Sequence, residues 1–302
     1  MKDDTITMSS TNKGFVEGAK KRRLSLHPIF TPKNIITQLL LLIWAIINLF
    51  PIYWLASFSL KDNTEIFGEN IIGLPRHWLF SNYNSALVGG KVGLYLLNSI
   101  FDTGVTVALT LFISLFAAYA LTRMKWKGRK LVMTLFTMGL MIPIHAALLP
   151  LFISMSKIHV LDTPLALIIP YMAFGIPMAI MIISGFIDSI PHELEESACI
   201  DGASIYRTVF SIIIPMLTPA IVTVAIFIFI QYWNELLFAQ VFISSENFKT
   251  LTAGIQGMYG QYQTDWGSIG AALVIATLPT LIIYTCMSGQ VQKSFIAGAV
   301  KG

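Results

Sequence analysis

Glu193, Glu195, Glu196 and Asp201 crowd into one short stretch between two of the most apolar segments of the chain, and Asp201-Gly202 adds a turn signal. Carboxylates at this density do not belong in hydrocarbon, so the stretch belongs at a membrane surface. Bond-making chemistry would need a nucleophile with its base, or a His/carboxylate metal cluster, within the apolar segments. The five histidines are scattered and form no such set. Recognition is the remaining use. Pro191 suits the first turn of a helix, and the three glutamates complement the positive end of that helix. Ile190, Leu194 and Ala198 recur at i, i+4 and i+8 as one apolar stripe. Ser197, Ala198, Gly202 and Ala203 are small enough for a foreign surface to approach the backbone. A second short helix is expected over about 203–210. The stretch thus reads as a docking helix-turn-helix or as an ordinary amphipathic connector.

A second polar constellation lies inside an apolar segment. Gln231-Tyr232-Trp233 is followed by Asn234 and Glu235. A carboxylate at the bilayer centre costs about 2.5–3.5 kcal/mol on insertion scales, so Glu235 must face a cavity or a partner. Tyr232 and Trp233 offer flat apolar faces with polar tips, suited to sugar rings or to hydrogen bonding between subunits. Tyr171 and Met172 follow Pro170 and could line a path where a helix breaks. Asp102 is expected to be interfacial and solvated, His145 to be a packing residue, and Met133, Met138, Met141, Met178 and Met181 to be core rather than a metal box.

The elements that position these residues are membrane helices. The chain is 55% hydrophobic and 12% charged, against about 25% charged for a soluble domain, and its mean hydropathy is +0.70. Six spans are expected, at about 35–60, 92–121, 131–155 (broken by Pro143 and Pro150), 164–187 (with Pro170 and Pro177), 212–243 and 269–291. No alternating ten-residue pattern suggests a membrane barrel. Arg123, Lys125, Lys127, Arg129 and Lys130 form a short loop without an acid, which should be cytoplasmic. Both termini and the 188–211 loop are then cytoplasmic too. Residues 1–33, with Lys20-Lys21-Arg22-Arg23, read as a cytoplasmic tail ahead of a 34–302 membrane domain; that basic run sets orientation or meets anionic lipid. Cys199 and Cys286 read as free thiols. The pI near 9.0 reflects topology rather than nucleic-acid binding.

Glu196-Ser197-Ala198, three residues, Gly202, nine residues and then Ile212-Ile213-Ile214-Pro215 resembles the "Glu-Ala-Ala" loop of ABC importer permeases: Glu-Ala-Ala, three residues, Gly, nine residues, Ile, any residue, Leu, Pro. Ser197 replaces an Ala and Ile214 a Leu. Span number, loop position and the ending Ala297-Gly298-Ala299-Val300-Lys301-Gly302 resemble the maltose-type, binding-protein-dependent carbohydrate permeases, and the resemblance covers nearly the whole chain.

The resemblance implies an all-α, six-helix type I importer permease in a bacterial cell membrane, moving a carbohydrate, an oligosaccharide in the first instance. Implied partners are a homologous second permease, an ABC ATPase dimer, an extracellular solute-binding protein and the bilayer, with no nucleic acid. In the family the loop forms coupling helices seated in a cleft of the ATPase, here implying contacts from Glu195, Glu196, Ser197, Ala198, Asp201, Gly202, Ala203 and Pro215. Tyr171, Tyr232, Trp233, Asn234 and Glu235 are candidates for the substrate path. In maltose-type permeases the outer loop matching 252–266 reaches into the binding protein, which implies Gly257, Tyr259 and Gln261; a flexible turn is the plain alternative. A phosphate loop is missing, since Gly90-Lys91-Val92 has Ser85 where the first Gly should be. No cofactor is expected in this chain; ATP and Mg would sit on the ATPase. The alternatives are a permease for a non-sugar solute or a stand-alone secondary transporter, which would show inverted repeats and midplane charges.

Overall fold

The computed structural model describes residues 32–260 and 264–299. The basic run Lys20–Arg23, Gln261 and the terminal Val300-Lys301-Gly302 lie outside the described residues. The chain divides into two compact units, up to Tyr53 and from Trp54 on. The first comprises residues 32–53 of helix α1 (Pro32–Phe58). Leu39, Leu40, Leu41, Leu42, Ile46 and Ile47 all stand exposed along it, as a helix bathed in hydrocarbon allows.

The second unit is all helix among its described regular elements: α2 (Val92–Thr122), α3 (Arg129–Gly139), α4 (Leu148–Lys157), α5 (Leu165–Ile187), α6 (Glu193–Ile200), α7 (Ile205–Thr208), α8 (Thr218–Trp233), α9 (Leu237–Phe242), α10 (Leu251–Gln256) and α11 (Trp266–Ala299), with shorter helical pieces at Asn63–Ile66, Ser81–Asn84, Ser85–Gly89, Ile144–Ala147, Val209–Ile213 and Ile214–Met216. Among the described residues four helices are long and apolar enough to cross a membrane, at 35–58, 92–122, 165–187 and 266–287. Two bent pairs, 129–139 with 144–157 and 205–216 with 218–233, raise the number to six if each is one span. The most extensive pairing is α2 against α5, and α8 packs on α11, α2 and α5.

The breaks differ from expectation. The 131–155 segment turns by 93° between Gly139 and Ile144, where Pro143 withholds an N–H, whereas Pro150 lies harmlessly in the first turn of α4. Pro170 and Pro177 do not break α5, which is continuous from Leu165 to Ile187. The expected single span over 212–243 is instead three pieces, bent by 70° at Leu217 and interrupted again between Trp233 and Leu237. The last helix runs past Val291 to Ala299.

Two expectations about polar and soft side chains are also corrected. Asp102 is buried, 3% exposed. It belongs to a buried stripe of α2 with Ser99, Thr103, Thr106, Thr110 and Ser114, whose three-to-four-residue spacing turns them toward one side. Met138, Met141 and Met181 are exposed, not core, while Met133 and Met178 are half-buried against the core. His145 is exposed, its ring 6.4 Å from that of Phe238.

The Val92 end of α2 carries the segment after α9. Ser99 Oγ accepts the Leu251 N–H at 2.8 Å, and Asn98 donates to the carbonyls of Asn247 and Lys249. Asp162 accepts the N–H of Ser245 at 2.8 Å from the other side. Part of the stretch expected to be a Gly-rich loop is therefore the buried helix α10, and a Cβ on Gly254 would lie 2.0 Å from the Tyr95 ring. Gly254→Ala should therefore destabilise the protein by about 1–3 kcal/mol through overpacking. A thermal melt of the purified protein in detergent checks this, and an unchanged midpoint contradicts it.

Candidate functional site

The α6–α7 loop is built from its ends inward. Helix α5 stops at Ile187, and Ile190 is buried beneath the turn that follows. Helix α6 opens at Glu193 with His192 as its N-cap, so Pro191 lies outside the first turn in which it was expected; the amides of Glu195 and Glu196 bond the His192 carbonyl. Glu193, Glu195 and Glu196 occupy its first turn, where the unbonded N–H groups favour negative charge. The helix ends in two backbone bonds, Ala203 N–H to Ala198 O at 2.9 Å and Gly202 N–H to Cys199 O at 3.0 Å. That closure needs a left-handed residue at Gly202, which has φ +74. Ser204 then caps α7, its Oγ accepting the Arg207 N–H.

The second helix starts later than expected and continues beyond Thr208 as a wider turn over Val209–Ile213 and a short piece at Ile214–Met216. Glu196, Ser197, Asp201, Gly202 and Pro215 are exposed, and Ala203 is half-buried. Ala198 is buried at 7% exposure. The anticipated apolar stripe is only partly formed: Ile190 and Ala198 turn inward, but Leu194 is exposed. Ile200, 86% exposed, and Tyr206, 73% exposed, are large apolar side chains facing outward beside the exposed acids.

Glu195 is also turned inward. Its Oε1 lies 2.9 Å from Arg123 Nε in an ion pair, and its Oε2 accepts the Tyr119 hydroxyl at 2.9 Å. Arg123 follows the last residue of α2 and its side chain is 4% exposed. The same guanidinium donates to the Ile187 carbonyl at 2.8 Å and to the Ile190 carbonyl, and sits 2.6 Å from His192 Nε2. Sequence reasoning placed Arg123 only among the cations that orient the chain and did not single out Tyr119 or His192. The one available signal was the position of Arg123 at a helix C-terminus, where cations satisfy final carbonyls.

The polar set in the former fifth span is likewise brought together inside the bundle. Glu235 accepts the Tyr171 hydroxyl at 2.6 Å and the Phe238 N–H at 3.0 Å, so it serves as the N-terminal cap of α9. Tyr232 stacks on Tyr171, ring centroids 4.4 Å apart. Trp233 is buried and donates to the Ala276 carbonyl at 3.1 Å. Tyr171, Tyr232, Trp233 and Glu235 are thus buried within this chain, and Asn234 is the exposed member of the group. Met172 is half-buried on an unbroken helix, contrary to the broken-helix expectation.

At the Val92 end of α2, Gly257 and Tyr259 are exposed after α10, with Tyr259 edge-on to Trp266 at 5.5 Å. Glu246, in the segment between α9 and α10, pairs with Lys249 and accepts the Tyr95 hydroxyl. The Lys249 bond, followed by that of Tyr95, holds its carboxyl below the ordinary carboxylate range. Among the described residues no group of three His, Cys, Asp or Glu side chains is placed to hold a metal ion.

Residues 110–296 match the family model described as "Binding-protein-dependent transport system inner membrane component". The chain is 38% identical over 262 residues to a putative ABC transporter permease protein, ORF2, of Caldicellulosiruptor sp. (strain Rt8B.4), covering 87% of this chain and 95% of that protein. It is 33% identical over 276 residues to the trehalose/maltose transport system permease protein MalG of Thermococcus litoralis, covering 89% and 98%. Among solved structures it resembles a chain of a bacterial ABC transporter involved in alginate import, with TM-score 0.75 at 23% identity, covering 87% of this chain and 99% of that one.

Two outcomes follow from these geometries. Glu235→Ala strands the Tyr171 hydroxyl and the first amides of α9, and should cost about 1–3 kcal/mol for each buried group left unpaired; thermal unfolding in detergent reads it, with Glu235→Gln milder. Because the Glu246 carboxyl is depressed in the folded chain, its pairing stabilises fully above the ordinary glutamate value of 4.5 and is lost as pH falls through the lower folded value. The protection of amides 246–256 against hydrogen exchange, taken relative to the intrinsic rate at each pH, should therefore fall in acid, and Glu246→Gln should remove that acid sensitivity.

Proposed function

The chain belongs to the family of binding-protein-dependent transport system inner membrane components, and from that premise we propose that it carries a sugar, an oligosaccharide in the first instance, handed over by an extracellular solute-binding protein. As a member of that family it is a multi-pass ABC importer permease. The remaining elements of this reading are its partners and its orientation. A homologous second permease completes the pathway. A separate ATPase dimer, holding ATP and Mg, hydrolyses nucleotide. Both termini and the α6–α7 loop lie in the cytoplasm of a cell whose plasma membrane holds the bundle.

The observation that carries the reading is the exposed face of the loop. Glu196 and Asp201 offer charge, Ile200 and Tyr206 offer apolar area, and Gly202 has open space where a Cβ would stand. Such a combination suits a cleft with basic and apolar walls, since charge pairs orient a contact and buried apolar area strengthens it. Closure of an ATPase dimer that grips the loop more favourably in one state would shift the permease between inward-facing and outward-facing forms. The sugar assignment is supported by the similarity to the trehalose/maltose permease. Gly257 and Tyr259, exposed beyond α10, are the proposed contacts for the binding protein, with Gln261 as the next candidate.

Glu196→Lys reverses charge on the exposed face, and Gly202→Trp places a bulky side chain at a left-handed turn. Both should abolish co-purification with the ATPase subunit while the chain still inserts into the membrane. Unchanged co-purification in both removes the docking assignment. Uptake of labelled maltose, trehalose and maltotriose into proteoliposomes holding the full transporter tests the substrate class; uptake of a non-sugar solute alone would replace it. Ion-driven uptake by the lone chain would replace the importer reading altogether.

A further inference from the structure

We propose that Arg123 is a positioning residue that ties the α6–α7 loop to α2, so that displacement of the loop is delivered to the membrane bundle through α2 rather than absorbed in the turn after α5. The inference rests on the reading of the loop as the ATPase contact and deepens it.

The guanidinium bonds the Ile187 carbonyl, the Ile190 carbonyl and His192 Nε2 and pairs by charge with Glu195 Oε1, four contacts strung along the passage from α5 into α6. Two are main-chain carbonyls in the turn that follows α5, the Ile187 one shared with the Ile190 N–H. The bonds therefore grip the backbone path itself. Glu195, one turn into α6, adds a side-chain grip. Tyr119, one turn earlier on α2, binds the other oxygen of the same carboxylate, so α2 holds α6 at two points. The main helix contact of α6 is with α7, and these side chains bond it to α2 as well. At 4% exposure the arginine has little water to exchange these partners for. Behind the clamp lies the most extensive helix pairing of the bundle, α2 against α5, with α8 packed on both. A loop tied this way cannot tilt without carrying the end of α2.

The planar five-donor guanidinium is required by this geometry. A lysine ammonium presents three donors from one nitrogen and cannot serve carbonyls and a carboxylate that lie on different sides of the group. Arg123→Lys is consequently a diagnostic change: it preserves charge and length and removes the fork. Arg123→Gln removes the charge as well.

The experiment uses the full transporter with its ATPase subunits in nanodiscs. Spin labels are placed at the exposed native Cys199 and at Lys125→Cys, with the exposed Cys286 changed to Ser. Their distance distribution should be narrow with Arg123 in place and broad in Arg123→Lys and Arg123→Gln. Both variants should still co-purify with the ATPase. The ratio of MgATP hydrolysis with the cognate solute-binding protein to hydrolysis without it should fall at least about five-fold, the lower end of typical coupling between sites. A merely structural role would lower yield and leave that ratio and the label distribution of the surviving protein unchanged, and this result would overturn the proposal. If Arg123→Gln does not accumulate, Arg123→Lys decides alone, and wild-type behaviour in it overturns the clamp. Absence of ATPase from the unaltered preparation would instead refute the docking reading, while the label distribution, read on the permease by itself, still tests the clamp.

Discussion

A guanidinium with almost no access to water must spend its hydrogen bonds on the protein, and Arg123 spends them on the place where α5 ends and α6 begins. The consequences reach outward from there. Helix α5 stops at Ile187, whose carbonyl takes both the Ile190 N–H and the Arg123 guanidinium, so the turn out of α5 is held from within and from α2. The three glutamates of α6 are divided by the same contact. Glu195 is drawn inward to the ion pair, which leaves Glu193 and Glu196 on the solvent side. The outward face of the loop is therefore defined by what the inward face is bonded to.

The same requirement, that backbone polar groups within an apolar bundle find partners, explains where the helices break. The interruption after Trp233 is tolerated because the Glu235 carboxylate takes the first amides of α9 and the Tyr171 hydroxyl together. The carboxylate is buried in turn because those donors replace its water. The sharp turn after Gly139 uses Pro143, which has no N–H to satisfy. By contrast, the prolines of α5 sit in an unbroken helix packed along α2. A proline in a span is thus a permitted site for a break, and the neighbouring packing decides whether one occurs.

The chain-level reading succeeded where a signal is local or compositional. The apolar runs located the helices, and the spacing from Glu196 through Gly202 to Pro215 pointed to the family. Gly202 was legible because a left-handed turn leaves few other choices. Residues whose role depends on a distant partner were misread. Asp102 looked interfacial from its place near a helix end, yet it lies on the face that meets the bundle. Leu194 fitted a stripe by number, yet it stands exposed while Ala198, four residues on, is buried, because the surface beneath α6 reaches only part of that face. Gly254 looked like part of a flexible loop, but the Tyr95 ring occupies the space its side chain would need.

By itself, the sequence determined the helical membrane class, the approximate spans and the family, because each follows from hydropathy, residue conformational preference or fixed spacing along one stretch of chain. Tertiary structure alone decided that Arg123 and Tyr119 share Glu195, that Glu235 is a cap bonded to Tyr171, and that α5 stays whole at its prolines. Those outcomes join residues as far apart as Arg123 and His192. A bond of that kind depends on how one helix is turned against another, and a linear pattern carries no information about that rotation.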